Sequence, residues 1–513
     1  MALPIEFVSR TRSLLGSEYA DFERALEAEP PVSIRLNPRK PVAGLFPDTE
    51  QVPWCSSGRY LPARPSFTLD PLFHAGAYYV QEASSMFLEQ AVRQYAGDSP
   101  LVCLDLCAAP GGKSTHLCSL LPEGSVVVSN EVVRSRANIL SENIAKWGYP
   151  ESIVTNAEPR ELGRFTHLFD LILTDVPCSG EGMFRKDPAS RAEWSPANVR
   201  LCAERQRQIL SDIWGALKPG GLLVYSTCTY NTEEDEDAIH YIIEQLGAEP
   251  LVIPTDSAWQ ITGSLRDSLP VYRFLPHKTR GEGFFLAALR KSDDGDIAFS
   301  PKKTKEKRAK KTAVRPFPRD VESYLTDARR FVPCWTGADG TILRMQSETV
   351  ARLATLFSQQ SVRILSAGIE IGEQKGKDLL PAEPLALSTA LNPARFPAVE
   401  LERDEAIRYL RKESLVLPET VERGFVLLTY RQQPLGFVKN LGNRSNNLYP
   451  AEWKIRISGY PACRRRREAG KSCIFFADAV GKVDARESSS AARLGSWMRV
   501  NLPSQRGWEA GCT

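Results

Sequence analysis

Apolar runs alternate with amphipathic stretches over residues 75–291. Four runs have the composition of strands buried on both faces: LVCLDLC, SVVVSNE, FDLILTD and GLLVYST. Each is followed by a segment compatible with a helix, such as residues 134–147. Continuous apolar strands alternating with helices are typical of a parallel sheet that carries helices on both faces. The pattern therefore predicts an α/β fold for this region.

The flanking segments have other patterns. Residues 14–30 have helical spacing and end at a Pro-Pro pair, and SIRLN at residues 33–37 predicts a short strand. Residues 301–311 hold seven basic side chains and one acidic one, which favours a linker because such a segment cannot bury a core. Residues 425–441 predict two strands around a turn at Gln432-Gln433-Pro434.

These changes of pattern divide the chain into five predicted segments. They are an N-terminal α+β segment (1–74), the α/β domain (75–291), a basic linker (292–318), a β-rich region (319–460) and a tail expected to be poorly ordered (461–513).

Composition narrows the class of protein only slightly. Across 513 residues, Lys and Arg number 65 and Asp and Glu 62, so the net charge of +3 does not by itself indicate a nucleic-acid partner. The 11 cysteines form no CxxC pair and no zinc-type spacing with histidine, so we expect a reducing compartment and no metal site. Without a signal peptide or an apolar run of about 20 residues, a cytoplasmic protein that is not attached to a membrane is expected.

A glycine-rich turn follows the first strand of the α/β domain, at Cys107-Ala108-Ala109-Pro110-Gly111-Gly112-Lys113. Glycines let the backbone approach a ligand, and a helix N-terminus supplies free N–H groups. The turn imitates the phosphate-binding loop of nucleotide hydrolases, but Cys107 stands where the first glycine belongs and Pro110 lacks an N–H.

A nucleoside cofactor is the other interpretation of this turn. Glu131 ends the next strand, 19 residues beyond Gly112, which is close to the spacing expected for an acid that binds ribose hydroxyls. The alternative explanation of Glu131 is that it begins a helix, where an acid complements the helix dipole.

Two cysteines follow the ends of two later strands, Cys178 in TDVPCSG and Cys228 in STCTYN. Both are expected at the carboxyl edge of the sheet, where open α/β folds bind their ligands. An acid, two thiols and a nucleoside cofactor suit alkylation of a pyrimidine at C5, because a thiolate that adds at C6 makes C5 electron-rich. Asp175 is placed to contact N3 of the ring, and Lys113 to hold Asp175 or to lower a thiol pKa.

Five consecutive acids at residues 233–237 follow the second of these cysteines. They predict the acidic first turn of a helix capped by Thr232, because alternate acids of a metal site would face opposite sides of the helix.

Several motifs together resemble one family. CLDLCAAPGGK, NEVVRSR, TDVPCSGEGMF, YSTCTYN and RFLPHKTRGEGFF closely resemble, in order, the motifs of the Sun-type RNA (cytosine-5)-methyltransferases. GAYYVQEASSM and SIRLNP resemble the upstream regions of the same family, so the resemblance covers about residues 30–291.

The resemblance implies S-adenosylmethionine bound by residues 107–113, with Glu131 on the ribose and Arg136 and Asp175 also at the cofactor site. Where the family has an Asp near the adenine, this chain has Glu158, a departure that puts this contact in doubt. The resemblance also implies that Cys228 is the nucleophile and that Cys178 acts in product release. DNA cytosine methyltransferases use the Pro-Cys thiol as nucleophile instead, and the residues alone leave both assignments open.

Residues 434–456 are similar to the end of the PUA-like region of bacterial RsmF-type enzymes. In this stretch Tyr449 and Trp453 lie among four cations, a combination that suits phosphate contact and base stacking. The resemblance implies a Rossmann-like methyltransferase sheet with an N-terminal RNA-binding segment and a C-terminal PUA-like module. It implies formation of 5-methylcytosine in structured RNA, with 16S-type rRNA as the expected substrate. We expect a monomer. The alternatives are transfer RNA as the substrate or, from the Gly-Gly-Lys-Ser-Thr pattern, nucleotide hydrolysis.

Overall fold

The computed structural model describes residues 2–293, 316–318, 320–337 and 339–456. The basic part of the predicted linker and the whole predicted tail lie outside these ranges. Within them, no helix is both long enough and apolar enough to cross a membrane.

The N-terminal part is a pair of helices followed by a four-stranded sheet. Its helices and strands are α1 (Ile5–Leu15), α2 (Tyr19–Glu27), β1 (Val32–Leu36), β2 (Glu50–Gln51), β3 (Gly58–Leu61), α3 (Pro71–His74), β4 (Tyr78–Val80) and α4 (Leu88–Tyr95). The strand order is β2-β3-β1-β4. The strand predicted at residues 33–37 is confirmed as β1, and α2 occupies the predicted helical segment.

The central sheet is the predicted α/β domain. Its elements are β5 (Val102–Asp105), α5 (Gly112–Leu120), β6 (Val126–Asn130), α6 (Arg134–Trp147), β7 (Ser152–Asn156), α7 (Pro159–Leu162), β8 (Phe169–Asp175), α8 (Pro188–Glu193), α9 (Pro196–Trp214), β9 (Leu217–Thr227), α10 (Glu236–Leu246), β10 (Ala248–Leu251), β11 (Tyr272–Phe274) and β12 (Phe284–Lys291). All four predicted strands are present, as β5, β6, β8 and β9.

The strand order explains the hydrophobic pattern. Strands run β10-β12-β9-β8-β5-β6-β7. The strands β9, β8, β5, β6 and β7 are parallel, and β12 pairs antiparallel with both β9 and β10. Two apolar clusters cover the two faces of this sheet, so its inner strands are buried on both sides. The carboxyl ends of β5, β6, β8 and β9 therefore meet at one edge.

The C-terminal part contains two further four-stranded sheets. Its elements are β13 (Val332–Thr336), β14 (Ile342–Gln346), α11 (Glu348–Gln359), β15 (Arg363–Ala367), β16 (Ile369–Lys375), β17 (Asp378–Pro381), α12 (Glu383–Leu387), β18 (Ala398–Glu400), α13 (Arg403–Leu410), β19 (Gly424–Tyr430), β20 (Gln433–Asn440) and β21 (Ser445–Asn447). The sheets are ordered β13-β14-β16-β17 and β18-β19-β20-β21.

One strand of the C-terminal half belongs to the central sheet. β15 pairs antiparallel with β7, at the edge opposite β10. The preceding helix α11 packs Val350, Leu353 and Phe357 into the core on one face of that sheet. The chain thus returns to complete the α/β domain after residue 319, where the sequence pattern places the start of a separate region.

The hairpin of β19 and β20 turns one residue earlier than predicted. Arg431 and Gln432 occupy the turn with φ of 48° and 64°, as a two-residue hairpin turn with left-handed central residues requires. Gln433 and Pro434 already belong to β20, where Pro434 pairs opposite Thr429 at a bulge.

Tyr449 does not have the predicted role in base stacking. Its side chain is buried in the C-terminal core with its ring centroid 5.3 Å from that of Tyr409, so no base can reach it. Lys439 is paired with Asp378 at 2.7 Å. Arg444, Lys454 and Arg456 remain exposed.

Candidate active site

A cavity of about 170 Å³ opens beside the glycine-rich turn at the carboxyl edge of the sheet. The turn joins β5 to α5, and Gly111 in it has a φ of 113°, a conformation that favours glycine. The cavity is lined by Tyr79, Val80, Gln81, Glu82, Ser85, Asp105, Cys107, Ala108, Ala109, Pro110, Gly112, Lys113 and Asp175. Six of the seven turn residues predicted to bind a cofactor thus line it, and Gly111 completes the turn.

Asp105 is a cavity residue to which the sequence motif assigned no role. Its carboxylate is fully buried at the end of β5, where one oxygen accepts a hydrogen bond from the Ser114 hydroxyl at 2.6 Å. The other oxygen, Oδ1, has no partner. Burial raises the pKa of Asp105 to about 7, although the Ser114 bond lowers it. The cavity therefore contains an acceptor atom that lacks a protein donor.

Lys113 and Asp175 form an ion pair across the cavity, with 2.9 Å between Lys113 Nζ and Asp175 Oδ2. The Ser226 hydroxyl donates to the other oxygen of Asp175 at 2.8 Å. Burial alone would lower the pKa of Lys113, but the carboxylate of Asp175 outweighs it, so the pKa lies above its usual value. Lys113 is thus a permanent cation that orients Asp175.

Cys178 and Cys228 come together at the same edge of the sheet. Their sulfur atoms are 3.1 Å apart, and both cysteines are free and half-buried. They follow β8 and β9, which are neighbouring parallel strands. The hydrogen bond to Cys228, together with burial, raises the pKa of the Cys178 thiol well above its usual value. Cys178 therefore keeps its proton at neutral pH and has it available for the sulfur of Cys228.

Glu234 ties together the two loops that carry the thiols. Its carboxylate accepts hydrogen bonds from the Ser179 N–H at 2.9 Å, Gln206 Nε2 at 2.8 Å and Asn231 Nδ2 at 2.8 Å. Ser179 directly follows Cys178, and Asn231 lies three residues after Cys228. Burial raises the pKa of Glu234 to about 7. Sequence reasoning missed this function because the bonds join segments that are distant along the chain.

The acidic residues 233–237 do not form the predicted capped helix start. α10 begins only at Glu236, and Thr232 supplies its backbone carbonyl to the Asp237 N–H rather than a side-chain cap. Glu234, Asp235 and Glu236 are fully buried, and the last two pair with the buried Arg273. Burial with hydrogen-bonding partners outweighed the local capping preference.

Glu131 and Arg136 flank the turn without lining the cavity. Glu131 is buried at the end of β6, where it accepts a hydrogen bond from the Val133 N–H at 2.9 Å and lies 3.4 Å from Arg136. Arg136 also donates to the Ala109 carbonyl at 2.9 Å, which braces the turn. The helix-start explanation of Glu131 and the ribose explanation are both compatible with this position.

Glu158 lies at the N-terminus of α7, exposed and outside the cavity lining. Its N–H donates to the Glu161 carboxylate at 2.8 Å. The structure therefore gives Glu158 a local role at a helix end, and its contact with a cofactor stays a prediction.

One buried group away from the cavity has side chains of the metal-ligand type. Within the described part of the chain, Cys55, Glu89 and His116 bring their ligand atoms within 4.8 Å of one another. Glu89 already accepts hydrogen bonds from His116 at 3.2 Å and from the Ser56 N–H at 3.1 Å, and pairs with Arg93 at 2.8 Å. These partners satisfy its carboxylate without an ion.

The fold and the cavity at the strand edge define a methyltransferase with a Rossmann-like core. Comparison with known proteins agrees over most of the chain. Three family descriptions match: the N-terminal domain of 16S rRNA methyltransferase RsmF (residues 3–83), 16S rRNA methyltransferase RsmB/F (96–290) and the methyltransferase RsmF PUA domain (396–455).

Curated relatives extend this similarity over most of the chain. Ribosomal RNA small subunit methyltransferase F of Cronobacter sakazakii is 32% identical over 487 residues, which cover 88% of this chain and 96% of that protein. The protein of the same name from Aliivibrio fischeri is 29% identical, over 88% of this chain and 97% of its own. The chain belongs to the family of 16S rRNA methyltransferases described as RsmB/F. The predicted family, fold class and enzyme class are confirmed.

A solved structure is also similar. The crystal structure of a methyltransferase homolog protein from Pyrococcus horikoshii is 29% identical, with a TM-score of 0.49, and the match covers 56% of this chain and 94% of that one.

The alternative of nucleotide hydrolysis is not favoured. Lys113, which would contact phosphates in a hydrolase, is held by Asp175, and burial raises the pKa of Cys107, so that a neutral thiol occupies the position of the first glycine.

Proposed function

We propose that this protein transfers a methyl group to C5 of a cytidine in small-subunit rRNA, through a covalent adduct between Cys228 and C6 of the base. The observation that carries the proposal is the pair of free thiols 3.1 Å apart, beside the Asp175 carboxylate at the same strand edge. Methylation at C5 of cytosine needs a nucleophile, an acid near N3 and a group that assists release of the product.

The residues at the cavity fit S-adenosylmethionine. The Tyr79 ring faces the glycine turn, since a Cβ on Gly112 would lie at contact distance from it, 3.4 Å. The unpartnered Oδ1 of Asp105 offers an acceptor to a donor on the ligand. Residues 107–113 would hold the cofactor, with Glu131 at its ribose and Glu158 near its adenine. When bound, the cofactor supplies an electrophilic methyl group on a sulfonium.

Cys228 adds to C6 as the nucleophile. A protonated Cys178 favours this assignment, because its S–H is available as a hydrogen-bond donor to a thiolate on Cys228. Asp175 faces N3 of the base and stabilises the adduct by accepting a hydrogen bond from N3 once that nitrogen has gained a proton. Lys113 and Ser226 hold the two oxygens of Asp175, so the carboxylate does not have to reorient during the reaction.

Cys178 acts when the product is released. After methyl transfer, a base takes the C5 proton, the electrons of the C5–H bond restore the double bond between C5 and C6, and the C6–S bond breaks to release the Cys228 thiolate. Cys178 assists this step from its position beside the leaving sulfur. Without Cys178, the methylated RNA is expected to stay attached to the protein through Cys228.

Small-subunit rRNA is the proposed substrate because the relatives bear that name and match this chain from its N-terminal domain to its PUA domain. The exposed cations Arg444, Lys454 and Arg456 supply phosphate contacts in the C-terminal part. Because a thiol must reach C6, the target base has to leave its stack, so the local shape of the RNA governs selectivity.

One denaturing gel tests the proposal. Wild type, Cys178→Ala and Cys228→Ala are incubated with methyl-labelled S-adenosylmethionine and unmodified small-subunit rRNA. A labelled, RNase-sensitive band at the position of a protein–RNA adduct is expected only with Cys178→Ala, and label in free RNA only with wild type. An active Cys228→Ala variant would reverse the roles of the two thiols. Labelled wild-type product without any adduct would remove the covalent step, and the absence of label on rRNA would refute the substrate.

A further inference from the structure

A basic groove of about 460 Å³ lies between the N-terminal part and the catalytic domain. Its walls come from the ends of α2 and β3 and from the loops after Cys178 and β11. The charged residues of its lining are Glu29, Arg64, Arg185 and Arg280. Three arginines face one glutamate in this lining, so the groove carries an excess of positive charge.

Arg185 and Arg64 are held in place by uncharged groups. Arg185 donates to the backbone carbonyls of Ala28, Glu29 and Gly281 at 3.3, 2.8 and 2.8 Å, which fixes the guanidinium between the two walls without a carboxylate. Arg64 is exposed and stacks over the Phe67 ring at 5.4 Å.

Arg280 is held by an aromatic ring and by one exposed carboxylate. Its guanidinium lies 4.2 Å from the centroid of the Tyr60 ring, and it pairs at 2.6 Å with Glu50, an exposed residue outside the lining. An exposed pair of this kind is weak and gives way to a phosphate at small cost. Four prolines in the walls make the groove stiff, so little conformational entropy is lost when a ligand enters.

The groove is joined to the active site at two points. Gly281 packs so closely against Ser84 that a Cβ there would lie 1.9 Å from the Ser84 hydroxyl. The next residue, Glu282, donates its N–H at 3.1 Å to Glu82, which also lines the cofactor cavity. On the other side, the Gly182 N–H donates to the Cys228 carbonyl at 2.9 Å, three residues before Arg185.

We propose that this groove binds the sugar-phosphate backbone of the RNA that flanks the flipped cytidine, with Arg64, Arg185 and Arg280 as its phosphate contacts. The inference rests on the proposed function. A polyanion with evenly repeated charges matches fixed guanidiniums along a groove, because Arg binds phosphate through its planar fork of donors. Anchoring the strand next to the thiols holds the target base over Cys228.

Charge reversal of Arg64 and Arg280 in the full chain tests this inference, since neither side chain is hydrogen-bonded to a buried group in the described part of the protein. Methylation of unmodified small-subunit rRNA is measured across a salt series. Arg64→Glu and Arg280→Glu should each raise KM for rRNA roughly fivefold at low salt with kcat unchanged, and reduce the slope of log affinity against log salt by about one. Arg64→Lys keeps the charge and should retain the wild-type slope.

Arg164→Glu is the matched control. Arg164 is exposed and lies between α7 and β8, at the sheet edge opposite the thiols. If Arg64→Glu and Arg280→Glu match Arg164→Glu in KM and in salt slope while wild type methylates rRNA, the groove does not bind RNA. If wild type transfers no methyl group but binds rRNA in a way that depends on Arg64 and Arg280, the proposed function fails and the groove stands.

Discussion

The Sγ atoms of Cys178 and Cys228 lie 3.1 Å apart, although 50 residues separate them in the chain. Parallel pairing of β8 with β9 produces this proximity, because it aligns the loops that follow the two strands. Burial and the partner sulfur keep the proton on Cys178.

The short distance between the two sulfur atoms predicts that oxidation inactivates the active site. A mild disulfide-forming oxidant should inactivate the protein by linking Cys178 to Cys228, because a small rotation of the side chains brings the sulfurs to about 2.05 Å. Dithiothreitol should restore activity. The measurement is residual methyl transfer together with peptide mass mapping of the linked loops. Cys202→Ala, which removes a buried thiol outside the pair, should behave like wild type; an oxidant-insensitive wild type would contradict the observed geometry.

Replacing Lys113 should impair catalysis more than folding. Lys113→Gln leaves Asp175 without its cation, and loss of a charged hydrogen bond is worth about 1.5–3 kcal/mol. We expect kcat to fall roughly 10- to 100-fold. Single-turnover methylation provides the measurement and thermal melting checks the fold. Lys218→Gln, which breaks a half-exposed pair with Asp170 on the same sheet, is the control. Equal rates for the two variants would exclude a role of Lys113 in orienting Asp175.

Glu234 should set the distance between the thiols. Glu234→Gln keeps the size of the side chain but replaces one acceptor oxygen by a donor, so the bond to the Ser179 N–H or to Asn231 is lost. The expected result is slower methyl transfer, by about tenfold for one buried hydrogen bond, with slower oxidative linking of the two thiols.

Glu233→Gln tests whether position or charge matters. Glu233 is the neighbouring acid, half-exposed and paired with Arg10. The Glu233→Gln variant should leave the rate of methyl transfer and the rate of oxidative linking of the thiols unchanged. A Glu234→Gln variant that methylates slowly but cross-links at the wild-type rate would show that Glu234 does not position the thiols.

Asp105 should make stability depend on pH. Burial raises its pKa to about 7 in the folded chain, whereas an unfolded chain releases this proton near pH 4. Between these two pH values the folded chain therefore holds a proton on Asp105 that the unfolded chain has released. The free energy of unfolding of wild type should fall relative to that of Asp105→Asn as pH rises from about 4 to 7. The fall is at most roughly 1.4 kcal/mol per pH unit. Melting midpoints across this range give the measurement.

The control for this pH effect is Asp98→Asn, at an exposed position where the carboxyl stays solvated. Its difference from wild type should be constant with pH. A constant difference for Asp105→Asn as well would mean that the Asp105 carboxyl ionises normally in the folded chain.

The C-terminal half should be needed for the stability of the catalytic domain. Phe357 on α11 is fully buried against the central sheet, 5.0 Å from the Phe165 ring. Phe357→Ala should cost about 3–5 kcal/mol and lower the melting midpoint of the catalytic domain itself, followed through cofactor protection. Val416→Ala, at an exposed site, should have little effect. Unchanged melting of the catalytic domain in Phe357→Ala would show that α11 is dispensable.

The local sequence pattern was sufficient to predict the strands and helices whose formation depends on neighbouring residues in the chain. The four inner strands were predictable because burial on both faces demands continuous apolar runs, and β1 and α2 were predictable from spacing and proline boundaries. β7 was missed because SIVTN is short and mixed in polarity, and β15 because only its partner β7 makes it part of the central sheet. The hairpin turn was displaced because its left-handed residues are neither Gly nor Asn.

For the site, the sequence by itself determined which chemical groups are present and at which edge they lie, since the carboxyl ends of parallel strands always meet there. Tertiary structure alone decided the separation of the two thiols, the pairing of Lys113 with Asp175, the bonds of Glu234 and the burial of Tyr449. The reason is physical: strand periodicity and glycine preferences act over a few residues, whereas distances between loops and the pKa of a buried acid depend on packing between segments far apart in the chain.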